Sequence, residues 1–569
     1  MPGIQLLQKK NSNISVSLKQ IDNIAYTNDY KQSIIFSNDS FTVFNSSYED
    51  YPITKFVIND IIIILEGYVY NLDIDHFINN IVEIYRNNEM LNSDIITNKL
   101  EKIDGDYIIY IINSRTDELI IINDQLKRLP LYYSENNEFF ICARDLKFIT
   151  ANIELEINND ALIDYLLFMI PSGKDTLYQN VYKLDCASIL QSTKNEFKLK
   201  NYKIWNYQDQ KLKKNSFEKN HKEITKLLFT GMEDRVSRIK GNEINVLLSG
   251  GLDSRMIIAM LNKLDKNVNT HTFLYPDKTN IDDYDDSKKI VSLTEFNWNG
   301  YDIDEINEEN IHEIIDLKDA MNYAGIANML SFLKKITKNN EQYYTGDGGR
   351  ILKNDFPREK ISNYDELINF LIVHKVVFKP KVIAEILEIS LEKVFDRILM
   401  IFSTYPESDF KYKYLHFLYH ERTLNWLQEG EDRNRKYFWS ATPFSNQLLY
   451  DYVKNINSKY KRSFKLYKQI INNIDDRFMG ISYGEIDNIS SLRYMISDRI
   501  KLSLGLVPAL KNRLKNFQRK EICYFENSDE FIKVFLSERN QKIFKVITSR
   551  NYTKLEIFTL VSLLEYFKL

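Results

Sequence analysis

Ser249, Gly250, Gly251, Asp253 and Ser254 fall within six residues, reading S-G-G-L-D-S. Two glycines let an oxyanion approach the backbone N–H groups closely, because neither carries a Cβ. The two serines add hydroxyl donors. Asp253 is the discordant member, since a carboxylate repels phosphate unless a cation lies between them. Mg²⁺ bridging Asp253 to phosphate oxygens removes that conflict. The chemistry suited to this spacing is the holding of a metal-bound polyphosphate. A Walker A loop needs G-x-x-x-x-G-K-[ST] and is not present here. An N-capped helix after a glycine turn is the simpler reading of S-G-G alone.

The flanking residues supply the frame. Val246, Leu247 and Leu248 run apolar into the turn, and residues 256–261 continue at helical spacing. A strand, a tight turn and a helix N-terminus aim backbone N–H groups and the positive end of the helix dipole at one point. The rhythm continues with strands expected over 269–275 and 300–303. Helices are expected over 282–293, 311–319 and 328–337, with one over 217–238 ahead of the motif. Such alternation implies a mostly parallel sheet with ligands at the carboxyl ends of its strands. A second glycine-rich stretch, Tyr343-Tyr344-Thr345-Gly346-Asp347-Gly348-Gly349-Arg350, ends a strand of the same series.

The N-terminal part reads differently. Short apolar runs at 33–36, 41–44, 56–58, 61–65, 107–112, 118–122, 131–133 and 139–142 alternate with Asn, Asp and Ser turns. An amphipathic helix is expected over 74–86, so this part is a layered β-sandwich carrying some helix. Residues 1–150 form one unit, 151–215 a connecting region with a polar linker at 208–214, and 216–569 a second unit. From 364 onward the chain is dominantly helical, ending in basic amphipathic helices such as 511–520 and an apolar helix, 557–567, expected to dock on the core.

Composition narrows the classes. At 569 residues the chain is too long for one core. A net charge of −4 provides no basic field for nucleic acid. Cys142, Cys186 and Cys523 match neither a disulfide framework nor a zinc pattern. No signal segment or membrane-length apolar run is evident, so a cytoplasmic protein that is not an integral membrane protein is expected.

The sequence L-S-G-G-L-D-S resembles the pyrophosphate loop of ATP pyrophosphatases, in the form seen in the asparagine synthetase family. Residues 343–350 are similar to that family's S-G-x-G-x-D-E loop, with Arg350 where a second metal-binding aspartate would stand. Leu65-Glu66-Gly67-Tyr68-Val69-Tyr70-Asn71 resembles its Asn-Gly-Glu-x-Tyr-Asn segment, and 124–133 its R-D-x-x-G-x-x-P-L-Y-Y. The implied fold is α/β: an N-terminal Ntn-hydrolase-like αββα domain and a C-terminal adenine-nucleotide α-hydrolase-like (PP-loop) domain with a parallel sheet and helical extension.

The resemblance implies ATP and Mg²⁺ as cofactors. Leu247, Ser249, Gly250, Gly251, Asp253, Ser254 and Gly346 would hold the nucleotide, Asp253 the metal, and Phe273, Leu274 and Tyr275 would line the adenine. Asp286 fits the start of the family's acidic helix. Asp347 is the expected catalytic carboxylate, and Lys465 or Lys468 the pyrophosphate-contacting lysine. Glu421, Glu429, Glu431, Asp432 and Arg433 are candidates for the substrate pocket. Glutaminase chemistry is expected to be lost. Pro2 replaces the nucleophilic cysteine, Glu66 an oxyanion-hole asparagine and Tyr68 a substrate-gripping glutamate, while Asp94 keeps an acidic position.

The expected function is therefore ATP-dependent amide formation without glutamine hydrolysis. A substrate carboxylate, on a small molecule or a peptide, is adenylated and passed to ammonia or an amine. The options are asparagine formation, amidation of a small acid or sugar acid, or macrolactam closure as in the β-lactam synthetases and lasso-peptide cyclases that lack the cysteine. A homo-oligomer or a partner enzyme of the same pathway fits this reading. The alternative is a pseudoenzyme that binds nucleotide as a scaffold.

Overall fold

Residues 61–65 read Ile-Ile-Ile-Ile-Leu, and the structure gives both faces of that strand something to cover. In the computed structural model, residues 1–481 are described except 11–29, 242, 306–307, 318, 322–325, 339–340 and 354, together with 559, 560, 563 and 566. The first strands are β1 (Gly3–Lys9), β2 (Lys31–Ser37), β3 (Phe41–Ser47), β4 (Ile53–Ile58), β5 (Ile61–Val69) and β6 (Gly105–Asn113). They are followed by β7 (Glu118–Asn123), β8 (Tyr132–Glu135), β9 (Phe139–Ala143), β10 (Tyr182–Lys183), β11 (Ser188–Ser192) and β12 (Phe197–Asn201).

These strands form two antiparallel six-stranded sheets, ordered β10-β8-β9-β1-β3-β2 and β12-β11-β7-β6-β5-β4. Side chains alternate across a strand. Ile62, Ile64, Ile108 and Tyr110 therefore share a core with Leu6 and Val43 of the facing sheet. Ile61, Ile63, Leu65, Ile109 and Ile111 turn the other way, onto Phe77 and Ile81 of helix α1 (Ile74–Arg86) and Ile96 of α2 (Ser93–Leu100). Asp73 caps α1 by accepting from the backbone N–H groups of Asp75 and His76. The strands β10, β11 and β12 come from the stretch read as a connecting region, yet they pair into these same two sheets.

Helices α3 (Leu146–Thr150), α4 (Asn159–Phe168) and α5 (Phe217–Arg238) lead to a third sheet. Its strands are β13 (Ile244–Leu247), β14 (Val268–Leu274), β15 (Asn297–Asp302), β16 (Gln342–Thr345) and β17 (Ser440–Ala441). They lie in the order β15-β14-β13-β16-β17, and every pairing is parallel. The helices α6 (Leu252–Lys263), α7 (Ile281–Val291), α8 (Glu308–Asp316) and α9 (Asn328–Ile336) alternate with the strands. The chain runs outward from β13 through β14 to β15 and then returns to the other side of β13 as β16. That reversal opens a crevice between the carboxyl ends of β13 and β16, where open parallel sheets bind ligands.

Beyond residue 364 the described structure is helical apart from β17, and includes a π-helix, Phe417–Leu427. The expected helix at 511–520 lies outside the described residues. Of the expected helix at 557–567, the described residues are helical, with Leu560 and Leu563 buried. The Tyr566 hydroxyl donates to Asp319 at 2.9 Å.

Buried charges join the two-sheet unit to the rest of the chain. Arg235 of α5 donates to Asp104 at 2.7 and 3.3 Å. Asp106 pairs with both Arg128 and Arg435. The Arg144 guanidinium bridges Glu66 and Asp432. Breaking one partner of such a buried pair strands the other charge, so these contacts fix how the units sit together.

Candidate active site

The turn after β13 carries the S-G-G-L-D-S motif onto the N-terminus of α6, whose cap position is Gly251. Ser249 Oγ lies 3.1 Å from Ser254 Oγ and accepts from the Gly251 N–H at 3.2 Å. Leu247 is half-buried at the strand end, and Ser254 is buried. The turn is locked from behind by Arg255, fully buried, which donates to the Gly250 carbonyl at 3.0 Å and to the carbonyls of Phe478 and Ile481.

The loop after β16 comes directly against this turn. A methyl group on Gly346 would stand 2.9 Å from Ser254 Oγ, and one on Gly349 would stand 2.0 Å from Asp253 Oδ1. A side chain at Gly349 would have to push the Asp253 carboxylate aside, and one at Gly346 would press on Ser254. Asp253 accepts from the Tyr467 hydroxyl at 2.6 Å, and Lys353 Nζ lies 3.5 Å from its other oxygen. Burial raises the Asp253 carboxyl, with Lys353 and Tyr467 opposing. A third acidic element closes the turn: Asp283 and Asp286 of α7 pack against Gly250, and Lys289 pairs with Asp286 at 2.8 Å.

Asp347 faces Glu431. Burial, followed by the facing Glu431 carboxylate, pushes Asp347 up to about 8, with Arg433 and Arg128 opposing. Glu431 is also held by the hydroxyls of Thr345 and Ser440. Arg433 Nε has no hydrogen-bond partner among the described residues, although it is buried. Burial and the facing carboxylate thus favour the protonated form of Asp347, and the Arg433 guanidinium opposes them. That arrangement can take up or release a proton next to a reacting group.

The residues singled out from sequence separate here. Ser249, Gly250, Gly251, Asp253, Ser254, Gly346 and Asp347 converge on the crevice. Lys465 does not: it is exposed at the first position of its helix, with its Nζ 4.1 Å from the centre of the Phe217 ring. Lys468 is half-buried one position after Tyr467, on the helix Lys465–Ile474. The lysine at Asp253 is Lys353, which carries no distinguishing local pattern, and Tyr467 reaches the same carboxylate across 214 residues. Arg350 turns to Asp355 at 2.8 Å. Phe273 packs on Tyr275 and Phe332; its carbonyl accepts from Asn280 Nδ2, and the Tyr275 N–H donates to Asn280 Oδ1.

Of the pocket candidates, Glu431 and Arg433 meet Asp347. Glu429 accepts from the Tyr132 hydroxyl, Asp432 pairs with Arg144, and Glu421 accepts from the Gly173 N–H and Asn425.

Of the positions expected to have lost glutaminase chemistry, Pro2 and Glu66 are filled by packing, whereas Tyr68 and Asp94 are not. Pro2 is buried. Glu66 is fully buried and saturated: Tyr51 donates at 2.6 Å, Arg144 at 3.1 Å, Tyr110 at 3.2 Å and the Ile4 N–H at 3.3 Å. A Cβ on Gly3 would sit 2.2 Å from Glu66 Oε1 and 2.5 Å from Arg144 Cγ, so no space remains at this end of β1. Tyr68 stacks near Tyr70 and meets Trp439 edge-on, lining a pocket of about 510 Å³ with Asp50, Arg238 and Lys240. Asp94 is exposed in the first turn of α2.

Residues 92–203 match the family described as the glutamine amidotransferase domain. The chain therefore carries a glutamine amidotransferase-type domain over that stretch, which contains β6 to β12. No curated protein matches the chain. Among solved structures, it is similar to glutamine phosphoribosylpyrophosphate amidotransferase from B. subtilis complexed with ADP and GMP, at 9% identity over 65% of this chain and 81% of that one, with a TM-score of 0.20. It is also similar to a protein described as the allosteric regulatory enzyme of purine biosynthesis, at 8% identity over 72% of this chain and 88% of that one, with a TM-score of 0.21. Scores this low carry no argument about the chain. No helix among the described residues is long and apolar enough to cross a membrane.

Proposed function

We propose that this protein is an amidotransferase-related, ATP-dependent amide-forming enzyme that adenylates a carboxylate and transfers it to ammonia or an amine, without hydrolysing glutamine. The observation that carries the proposal is the meeting of two loops at the reversal between β13 and β16: a serine- and glycine-lined anion turn on one, the Asp347 carboxyl on the other. The Gly250 and Gly251 backbone with Ser249 and Ser254 would receive the pyrophosphate oxygens of ATP. Lys353 would balance their charge in the part first assigned to Lys465 or Lys468. Leu247, Phe273 and Leu274 remain the residues proposed beside the adenosine.

Asp253 fits a hard divalent cation, because it offers a carboxylate where the two loops meet. Mg²⁺ held there would supply charge neutralisation for the phosphates. The Asp347–Glu431 pair would accept the proton released when the amine attacks the activated carboxyl, with Arg433 holding the pair near the acyl group. The products would be an amide, AMP and pyrophosphate, the last released when the carboxylate is adenylated.

Supporting the loss of glutamine chemistry are the absence of a thiol at Pro2 and the presence of Glu66, which pairs with Arg144 where an oxyanion would need donors. ATP–pyrophosphate exchange in the presence of pooled carboxylic acids tests the proposal. Exchange that disappears in Asp253→Asn supports it. Absence of exchange with every acid offered, together with retained ATP binding, would establish the nucleotide-binding scaffold instead. Glutamate release from glutamine by the pure protein would refute the second half of the proposal.

A further inference from the structure

A second cluster of reactive side chains lies away from the crevice, where the loop between β10 and β11 meets the π-helix Phe417–Leu427. His420 Nδ1 is 3.9 Å from Cys186 Sγ, and its Nε2 is 3.1 Å from Asp185 Oδ1. Asp185 is itself fixed: Oδ1 accepts from the Cys186 N–H at 2.7 Å, and Asn123 holds its carbonyl at 2.7 Å. All three residues line a pocket of about 320 Å³, together with Trp205, Tyr405 and Glu421. A π-helix costs backbone geometry and is common where a side chain must be aimed at a functional site.

We propose that Cys186 is a nucleophile, with His420 as its base and Asp185 orienting the imidazole, and that the pocket accepts a small acyl compound such as an activated ester or a primary amide. The two ring nitrogens of His420 face different partners, one the sulfur and one the carboxylate. This is the order in which a thiol, a base and an orienting acid pass a proton. The same three residues are the one group of metal-ligating side chains brought within 4.8 Å among the described residues. A single metal, however, would need one imidazole nitrogen to serve it, while here the second nitrogen already engages Asp185. Burial opposes charge on His420, but Cys186 and Asp185 outweigh it and raise the imidazole well above its usual range, which favours moving the thiol proton onto nitrogen. Burial holds the Cys186 thiol up in opposition, with Asp185 adding to it.

In the reaction, Sγ bonds to the carbonyl carbon and the bond from that carbon to the leaving group breaks. The thiol proton passes through His420 Nδ1 to the departing amine or alkoxide. Water then hydrolyses the thioester, releasing the acid and restoring the thiol.

The test uses the full chain and p-nitrophenyl acetate. Intact and peptide mass spectrometry should place one acetyl group on Cys186, with a burst of about one equivalent of p-nitrophenolate per chain, as acyl-enzyme formation requires. Cys186→Ser should abolish the burst, and His420→Gln should slow it by about 100-fold, the usual contribution of a positioned base. Melting curves of both variants should overlay that of the parent. Iodoacetamide on the unmodified protein provides a second reading: Cys186 should label faster than Cys142, which is buried in the β-sandwich core. Labelling of Cys186 no faster than Cys142, or a burst unchanged in His420→Gln, would overturn the proposal. One equivalent of zinc that co-purifies and is lost in both variants would overturn it in favour of a metal site.

Discussion

Replacing Glu431 by Gln should release the proton that Asp347 holds. In the folded protein Asp347 stands at about 8 against an ordinary 3.8. That difference, about 4 units, is on the order of 5 kcal/mol between its protonated and ionised forms. Burial is the larger cause and survives the substitution, whereas the charge of Glu431 does not. The expected result is a fall of about 1 to 2 units in Asp347, the usual effect of removing one like charge at close range. A carboxyl whose folded value is raised keeps a proton that the unfolded chain has released. Its contribution to stability is therefore fully present below about pH 4 and declines as pH rises, by at most ~1.4 kcal/mol per unit, until about pH 8. In Glu431→Gln the decline should stop about 1 to 2 units earlier. Infrared difference spectra of the protonated carboxyl band, recorded from pH 5 to 9, read the proton directly, and melting temperatures over the same range read the linkage. Loss of no carboxyl proton between pH 6 and 9, or identical titrations in the two proteins, would refute the reasoning.

Arg144→Met leaves Glu66 and Asp432 buried without their shared cation, so urea or thermal denaturation should show a loss of about 3 to 5 kcal/mol. Adding Glu66→Gln to it should recover part of that loss. Gly349→Ala drives a methyl group into Asp253 and should lower ATP–pyrophosphate exchange by about 100-fold through misplacement of that carboxylate, with melting nearly unchanged. Lys353→Met removes the charge that opposes the raised Asp253 carboxyl. The apparent KM for ATP in the exchange assay should rise, whereas Lys465→Met should leave it unchanged.

The local elements were legible because their signals are local. The helices 74–86 and 217–238 appear at the residues where cap, periodicity and turn coincide. The S-G-G-L-D-S turn sits between a strand and a helix as its flanks require, since a glycine turn joining two apolar runs admits few other geometries. Residues 151–215 were less legible. β10 is two residues long, and although β11 and β12 pair as a hairpin, β10 and β11 join the sheets only through β8 and β7, far away in sequence.

What the sequence determined by itself is the chemistry on offer: a glycine turn carrying two serines and an aspartate, a second glycine-rich loop carrying Asp347, and no thiol at residue 2. What only the tertiary structure decided is which distant side chains complete each site. Tyr467 and Lys353 reach Asp253, Glu431 reaches Asp347, and His420 reaches Cys186 across 234 residues. Side chains of common type on separate helices leave no spacing to read. Their meeting is set by the packing of whole elements, and the same packing fills the end of β1 with Glu66 and Arg144.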